Sequence, residues 1–287
     1  MKNRNIVKQD YRLVNARYKL NTSETKFIMA TLAQINMDDT EFKTYEIRVS
    51  ELEKQLQAEQ NETRLRQFAK QLMSKPVEVP TDTGWIVFNW FSKIQYVRGE
   101  SKFIVRIDGD LKPYLLELKE RFVKFNLQYI LPLSSNYSIR IYQLLKEYEN
   151  LTRRTFTVDE LQDLLQVPKS YREKYNDFKK KVLAVAEREL IDHCDIFFEY
   201  EEVKKGKKVN ELLFRIKPNR SKNPEPSLFD LEPSKYEKYK YKKLLTKDGQ
   251  KEINFIEDLG DTLKIYFVDG THALIANEET LQKALKA

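Results

Sequence analysis

Apolar and polar positions follow one another in an order that occurs twice along the chain. In the later copy, Thr157 and Glu160 have the spacing of a capping box, which predicts the start of a short helix. A polar turn follows, and then a second helix with apolar residues at helical spacing. Residues 195–203 and 209–217 alternate as strands do, so the copy is predicted to end in a hairpin with a lysine-rich tip.

The second helix of this copy has an apolar side and a basic side. At about 100° of rotation per residue, the apolar side carries Phe178, Val182, Val185, Ala186 and Leu190. The opposite side carries Asn176, Lys180 and Glu187, with Lys179 and Lys181 on its flanks. Consecutive lysines on a helix are often only a solvated face. Here they lie between a capped helix and a cationic hairpin, which favours a winged helix with this helix in the DNA major groove.

The earlier part of the chain contains the same kinds of segment. Asn21 with Glu24 predicts the cap of one helix, and Ser50 with Glu53 predicts the cap of another, which runs to about residue 56. A polar turn leads to a third helix at about residues 62–73. Its apolar side carries Leu65, Phe68 and Leu72, and its other side carries Arg66, Gln67 and Lys70.

A strand at residues 45–49 and a hairpin complete this earlier copy. Residues 85–97 and 101–107 are the predicted hairpin strands, with the turn at residues 98–100. Cap, helix, turn, basic helix and hairpin thus occur twice in the same order, which indicates a duplication. The predicted fold class is α+β, with two tandem winged-helix domains related by internal duplication and a small C-terminal α/β meander.

The segment between the copies predicts further helices. Asp110 is expected to cap a helix that runs to Leu118, and residues 121–129 predict an extended or helical connector. Residues 137–148 form a strongly periodic helix, assigned here to the second domain. On that helix, Arg140 is expected either to pair with a carboxylate or to contact a phosphate, and the sequence leaves both open.

After residue 220 the composition changes to a proline-containing linker. Within it, Leu228 and Phe229 resemble the end of peptides that dock on the bacterial sliding clamp, although the pattern's glutamine and upstream leucine are missing. The alternative is an apolar pair that pins the linker to a domain. The remaining chain predicts a helix at 236–245, strands at 252–256, 262–268 and 271–275 with a turn at Asp269-Gly270, and a last helix from Glu278.

These patterns give four segments. They are a first winged-helix domain at 1–125, a second winged-helix domain and main DNA reader at 126–220, a linker at 221–234, and a small unit of unknown role at 235–287. The last segment is marginal in size for independent folding.

Charge favours a polyanionic partner for the first part of the chain. The net charge is +7, and residues 221–287, with 11 Lys and 12 Asp or Glu, carry −1, so the preceding residues carry +8. The near-neutral C-terminal unit favours a protein partner over DNA. One cysteine, no membrane-length apolar run and a polar N-terminus predict a soluble cytoplasmic protein without a membrane partner.

The chain lacks the patterns that catalysis would need. Its seven glycines are isolated from one another, so no phosphate-cradling loop is predicted. Its two histidines, His193 and His272, are far apart, which argues against a paired-histidine metal site. We therefore expect a binding protein rather than an enzyme, with no catalytic residue, metal or cofactor.

Several segments together resemble the initiator Rep protein family of iteron-containing plasmids. They are residues 13–20 (Leu-Val-Asn-Ala-Arg-Tyr-Lys-Leu) with the capped helix after them, residues 115–125, the Ser-Ile-Arg-Ile-Tyr helix at 138–142, and residues 178–183. The resemblance covers roughly residues 5–218.

The resemblance implies more than the residue patterns do. It implies two winged-helix domains that grip directly repeated origin DNA, and a monomer that helps to open the origin and recruits host replication proteins such as the replicative helicase and the host initiator. It also implies a homodimer, formed through the first domain, that represses initiation or expression of its own gene. Two alternatives stay open: a winged-helix transcriptional regulator, and a nicking or primase-type replication enzyme.

The candidate DNA-binding residues lie on the basic helices and the second hairpin. They are Arg64, Arg66, Gln67 and Lys70 in the first domain, and Arg140, Arg172, Lys174, Asn176, Lys179, Lys180, Lys181, Lys204, Lys205, Lys207 and Lys208 in the second. Arginine suits guanine, and asparagine or glutamine suits adenine. The four hairpin lysines are expected on phosphate or in a minor groove, the alternative being lysines that only prevent edge pairing.

Overall fold

The computed structural model describes residues 5–36, 39–51, 61–81, 83–118, 122–219, 221–222, 239, 242–247, 249–258, 262–267 and 272–286. The chain divides into a larger unit, Met1–Pro224, and a smaller unit, Glu225–Ala287. Each unit has its own hydrophobic core, and among the described residues the two cores share no member.

The first half of the larger unit alternates short strands and helices. The helices that lie wholly within the described residues are α1 (Tyr11–Val14), α2 (Thr22–Leu32), α3 (Glu62–Met73) and α4 (Lys112–Leu115). Its strands are β1 (Ile6–Asp10), β2 (Thr44–Arg48), β3 (Val77–Thr81), β4 (Gly84–Phe88), β5 (Phe91–Val97), β6 (Lys102–Ile107) and β7 (Phe122–Asn126). Strands β2, β6 and β5 form a sheet in that order, while β1 pairs with β7 and β3 pairs with β4.

The second half of the larger unit follows a similar order. Its helices are α5 (Asn136–Lys146), α6 (Val158–Leu164), α7 (Lys169–Arg172), α8 (Tyr175–Phe178) and α9 (Ala184–His193). A π-turn, Lys179–Leu183, joins α8 to α9, and we call the resulting helix at 175–193 the lysine helix. Strands β8 (Arg153–Thr157), β9 (Ile196–Lys205) and β10 (Lys208–Pro218) form a sheet in the order β8, β10, β9.

The two halves share one sheet topology. In each, a single strand, β2 or β8, pairs antiparallel with the second strand of a hairpin, β6 or β10. The hairpins are β5–β6 and β9–β10, which we call the first and second wings. In each half a helix with a basic exposed face, α3 or the lysine helix, precedes the wing. This repeated order confirms the predicted class of two tandem winged-helix domains.

Apolar side chains hold each half together at the positions expected from their spacing. In the first half, Phe27 of α2 makes edge-to-face contacts with Phe91 and Phe103, at centroid distances of 5.8 and 5.6 Å. In the second half, Phe214 of β10 packs against Phe156 at 5.7 Å and Phe198 at 5.1 Å. Such pairs add to the free energy gained by burial, because the edge of one ring carries the opposite partial charge to the face of the other.

Two of the predicted capping boxes are confirmed. The amide of Glu24 donates to Asn21 Oδ1 at 2.9 Å, and the Asn21 amide donates to Glu24 Oε2 at 2.7 Å. The amide of Glu160 likewise donates to Thr157 Oγ1 at 3.1 Å, and the reciprocal bond is present. These bonds satisfy amides that have no partner within the helix. The capping box at Ser50 and Glu53 extends beyond the described residues.

The first hairpin differs from its prediction. Residues 85–97 are not one strand, because the chain bends at Trp90 and divides into β4 and β5. Trp90 is buried, and its ring meets Tyr18 edge-on at 5.2 Å. Strand β4 pairs with β3, a strand that the sequence analysis did not predict. Burial of one aromatic side chain therefore interrupts an alternation that looks continuous in sequence.

The connector between the halves also differs from its prediction. Asp110 does not cap a helix to Leu118; instead its amide donates to Asp108 Oδ1 at 3.1 Å, and α4 ends at Leu115. A 3₁₀ turn, Gly109–Leu111, precedes α4. For residues 121–129 the sequence left an extended and a helical conformation open. Most of them are extended, because β7 pairs with β1. Further 3₁₀ turns are Arg98–Glu100, Leu127–Tyr129 and Glu149–Leu151.

In the part of the smaller unit that the structure describes, four strands form an antiparallel meander and one helix follows. The strands are β11 (Lys243–Thr246), β12 (Gly249–Asp258), β13 (Leu263–Phe267) and β14 (His272–Ile275), followed by α10 (Glu278–Lys286). The predicted helix at 236–245 is wrong at its end, because residues 243–245 pair with β12. The clamp-like Leu228 and Phe229 and the turn at Asp269-Gly270 lie outside the described residues.

Candidate nucleic-acid interface

Helix α3 presents a polar face to solvent in the first half. Leu65 and Leu72 are buried, which turns the other side of the helix outward. The four predicted residues of this helix, Arg64, Arg66, Gln67 and Lys70, are all exposed. Arg66 donates to Glu62 Oε1 at 3.1 Å along the helix, and its side chain stays 68% exposed. The helix thus combines cations and an amide on one accessible face.

The first wing is attached to this helix by an ion pair that the sequence analysis did not predict. Arg98, at the wing tip, lies 2.6 Å from the Glu62 carboxylate at the start of α3. The hydrogen bond from Arg98 is the main reason that the pKa of Glu62 lies below its ordinary value. A carboxylate at a helix N-terminus also interacts favourably with the helix dipole. The one feature of the sequence that could have indicated this ion pair is the charge of Arg98 in the predicted hairpin turn.

The lysine helix buries one side and exposes the other. Phe178, Val182, Ala186 and Leu190 are completely buried, as predicted, whereas Val185 is only half-buried and Leu183 is buried in its place. Lys174 just before the helix, and Asn176, Lys179, Lys180 and Lys181 within it, are exposed. The predicted residues of this helix therefore share a solvent-facing surface.

The second wing is also attached to its helix by an ion pair, but here the cation is on the helix and the carboxylate is on the wing. The Lys179 amine lies 2.7 Å from Glu202 Oε1 on β9, and the Tyr175 hydroxyl donates to the same oxygen at 2.9 Å. Lys179 holds the pKa of Glu202 below its ordinary value, and Glu202 raises that of Lys179. Burial and the bond to Glu202 raise the pKa of Tyr175. Both wings are thus fixed against their helices by ion pairs.

Arg172 is engaged within the protein. Its guanidinium donates to the carbonyls of Val167 and Gln162 at 2.9 and 3.0 Å. It also donates to Asp163 Oδ1 at 2.5 Å. These bonds hold α7 against the end of α6, so the side chain has a structural role whatever it contacts on DNA.

The tip of the second wing is cationic and accessible. Lys204, Lys205, Lys207 and Lys208 are all exposed. Lys205 and Lys208 are opposite each other in the ladder, which leaves Gly206 and Lys207 as the turn. Gly206 has φ +66°, a left-handed conformation that glycine adopts without strain. The turn thus requires the glycine but none of the four lysines.

Arg140 does not reach the surface, which corrects its assignment as a DNA-binding residue. It is 1% exposed, and its Nη2 donates to the carbonyls of Val14 at 3.0 Å and Ala16 at 2.9 Å. Its Nη1 donates to the Tyr18 hydroxyl and to Gln143 Oε1, and its guanidinium lies 4.1 Å from the Tyr18 ring centroid. Burial lowers the pKa of Arg140, and the partners are carbonyls and hydroxyls rather than a carboxylate or phosphate.

Comparison with known proteins places the chain in a family. The family model described as "Initiator Replication protein, WH1" matches residues 6–146, and the one described as "Initiator Rep protein, WH2" matches residues 157–216. The chain belongs to the initiator Rep protein family. Helix α5 lies at the end of the first match and contacts both halves, so the boundary predicted at 125/126 stays a prediction.

Two relatives of this Rep protein are informative. A curated "Replication initiation protein" from Escherichia coli is 26% identical over 221 residues, which cover 72% of this chain and 68% of that protein. The crystal structure of the Pi initiator protein in complex with iteron DNA aligns with a TM-score of 0.58 at 20% identity. That alignment covers 75% of this chain and 98% of the other. The structural likeness shows a shared fold.

The described residues show neither a metal-binding cluster nor a membrane-spanning helix. They contain no group of three or more His, Cys, Asp or Glu side chains placed to hold a metal ion. None of their helices has the length and apolar character that crossing a bilayer requires. The single cysteine, Cys194, is buried as expected, and burial raises the pKa of its thiol.

Proposed function

We propose that this Rep protein is a plasmid replication initiator that binds directly repeated origin DNA. Helix α3 and the lysine helix would each enter a major groove, and each wing would lie on the adjacent backbone. The observation that carries the proposal is the repeated plan: the same sheet topology occurs twice, each time with a basic, exposed helix. Two DNA-binding helices on one chain suit a binding site that offers two successive major grooves.

The exposed side chains divide into two kinds of DNA contact. Gln67 and Asn176 have amides that suit adenine, and Arg66 suits guanine; each bidentate pair is worth about 1–3 kcal/mol of discrimination. Lysines at the second wing tip would meet phosphate, which raises affinity with little sequence preference. Sequence reading is therefore assigned to the helices and most of the salt-dependent affinity to the wing.

Footprinting on the DNA that flanks the gene tests the proposal. We expect protection of several repeats in the same orientation, each about two helical turns long, beside an AT-rich stretch. A fragment with the repeats shuffled at constant composition is the control. Protection of one palindrome without such repeats would instead indicate a transcriptional regulator. Metal-dependent cleavage or primer synthesis by the pure protein would indicate an enzyme.

We also propose that the first domain forms a homodimer, which represses initiation or the protein's own expression. Strand β4 supports this, because it carries three consecutive exposed apolar side chains: Trp85 is 68%, Ile86 is 42% and Val87 is 46% exposed. Among the described residues β4 pairs with β3 alone, which leaves one edge available to a second copy.

Light scattering after gel filtration tests the dimer. Substituting Trp85 and Ile86 with serine should reduce the dimer fraction, because both side chains would lose apolar contacts across the interface. Leu151→Ser, at a position 65% exposed in the second half, is the matched control and should leave the dimer intact. Equal dimer fractions in the two variants would place the interface elsewhere.

The bound monomer is proposed to open the origin and to recruit host proteins, among them the replicative helicase and the host initiator. Leu228 and Phe229 are proposed to contact the sliding clamp. Helicase loading can be followed on an origin plasmid with the purified host proteins, and clamp binding by comparing the intact chain with a variant that has both residues changed to alanine. Unchanged clamp binding by this variant would show that Leu228 and Phe229 do not contact the clamp.

A further inference from the structure

The lysine helix is not α-helical throughout. The amide of Ala184 donates to the carbonyl of Lys179, five residues earlier, and residues Lys179–Leu183 form a π-turn between α8 and α9. Such single π-turns within α-helices are rare and occur often at functional sites. This π-turn coincides with the three consecutive lysines at the centre of the proposed interface.

The π-turn changes which residues share a face of the helix. In a regular α-helix, residues five apart diverge by about 140°, since each residue advances by about 100°. Phe178 and Leu183 are five apart, and both are completely buried. Val182, between them in rotation, is also buried. The π-turn therefore accommodates one additional residue on the exposed side while the residues on either side of it stay packed in the core.

The three lysines exposed by this turn have different surroundings. Lys179 is paired with Glu202 on the second wing. Lys181 lies 3.8 Å from Asp177 and 4.7 Å from the centroid of the Tyr171 ring. Lys180 has no ion pair or hydrogen bond with the part of the chain that the structure describes. The central lysine is thus accessible, and its two neighbours are held by protein groups.

We propose that the π-turn is a positioning device for DNA recognition by the second winged helix. It adds one residue to the exposed face, so that Lys180 projects at the centre of the interface between two anchored lysines. Lys180 then makes the direct DNA contact, while Lys179 keeps the wing in place and Lys181 adds to the local positive potential. This assignment rests on the proposed function.

Deleting Lys180 tests the turn separately from the charge. After the deletion, the apolar residues follow Phe178 at i+3, i+4, i+7 and i+11, which is the stripe of a regular α-helix. The core should therefore stay packed and the urea midpoint should not fall. Lys180→Ala is the matched control, because it keeps the π-turn and both variants lose the same single charge.

Affinity for the repeats, relative to shuffled DNA, is the decisive measurement. We expect Lys180→Ala to lose about tenfold in specific affinity, since one DNA contact is removed. The deletion should lose about tenfold more, because Lys181 then follows Lys179 directly and leaves its place beside Asp177 and the Tyr171 ring. The wild-type protein is measured on both DNAs in parallel.

Each other outcome is decisive as well. Equal affinities for the two variants, with the wild type still specific, would overturn the role of the π-turn and leave the proposed function intact. Unfolding of the deletion variant would show that the core itself needs the extra residue, which also overturns the inference. A wild-type protein that does not distinguish the repeats would remove the proposed function and this inference together.

Discussion

At the scale of single residues, burial decides what a basic side chain does. Arg154 resembles a surface residue in sequence, yet it is 9% exposed and donates to the Leu144 carbonyl at 2.9 Å and to Asn15 Oδ1 at 2.7 Å. It also pairs with Glu147 at 3.1 Å. A guanidinium has five donors in a planar fork, so it can satisfy several buried acceptors at once. Arg140 therefore joins α1 and the residues after it to α5, and Arg154 joins Asn15 to β8.

Arg140→Met should destabilise the protein by about 3 kcal/mol or more. The substitution keeps much of the volume but leaves the buried acceptors of Val14, Ala16 and Tyr18 without their donor. Urea unfolding measures the loss. Arg188→Met, at an exposed position on α9, is the control and should change stability by less than about 0.5 kcal/mol. A loss below about 1 kcal/mol for Arg140→Met would contradict the structural role.

The pair between Glu202 and Lys179 should make stability depend on pH. The folded-state pKa of Glu202 is lowered, chiefly by its bond to Lys179. Its stabilising effect is therefore complete above the unfolded-state pKa of about 4.3 and is lost as pH falls through the lower folded-state pKa. Below that range both states are protonated and the effect is absent.

Glu202→Gln should accordingly be less stable than the wild type at pH 7, by about 1 kcal/mol. The difference should narrow as pH falls below about 4. Urea unfolding across this range measures it. Glu201, which lies next to Glu202 on β9, forms an exposed ion pair with Arg215. Glu201→Gln is therefore the control and should change the stability little at any pH. A difference that is independent of pH would assign the Glu202 effect to packing.

At the scale of elements, each wing and its helix form one unit. The ion pairs of Arg98 with Glu62 and of Lys179 with Glu202 join the same two elements in both halves, although the donor and acceptor change sides. The periodicity of the helices was predictable, because apolar side chains repeat at the helical spacing. The ion pairs were not, since they depend on how far apart the hairpin and helix lie after folding.

Lysines at the second wing tip should control the salt dependence of DNA binding. Substituting Lys205 and Lys207 with alanine should reduce the slope of log affinity against log salt by about 1.8, if each neutralises one phosphate. Titrations at several salt concentrations give the slope. Lys247 and Lys283 in the smaller unit, substituted together, form a control of equal charge and should leave the slope unchanged. An unchanged slope for the wing variant would assign its lysines to preventing edge pairing.

At the scale of the whole molecule, the chain combines a family unit with an additional one. The family matches end at residue 216, and the smaller unit has a core of its own around Ile253, Ile265 and Leu281. The sequence predicted its last strands and helix, but not β11, whose Lys/Tyr-rich surroundings favoured a helix. Pairing with β12 outweighed that local preference.

A chain that ends at Pro224 should fold and bind the repeats like the full-length protein. The larger unit buries its own apolar residues and contains both basic helices and both wings. Circular dichroism and repeat-binding affinity are the measurements, with a change of less than about threefold expected in affinity because the removed segment carries little net charge. Loss of cooperative unfolding would show that the smaller unit stabilises the larger one.

Residue order alone predicts the repeated sequence of elements, two capping boxes, the apolar side of the lysine helix and the basic side opposite it. These follow from local rules, because spacing along the chain fixes which side chains share a face. Packing in the folded chain buries Arg140, divides the first hairpin at Trp90 and places the three lysines in a π-turn. Those outcomes depend on contacts between residues far apart in sequence, whose energies outweigh local preference.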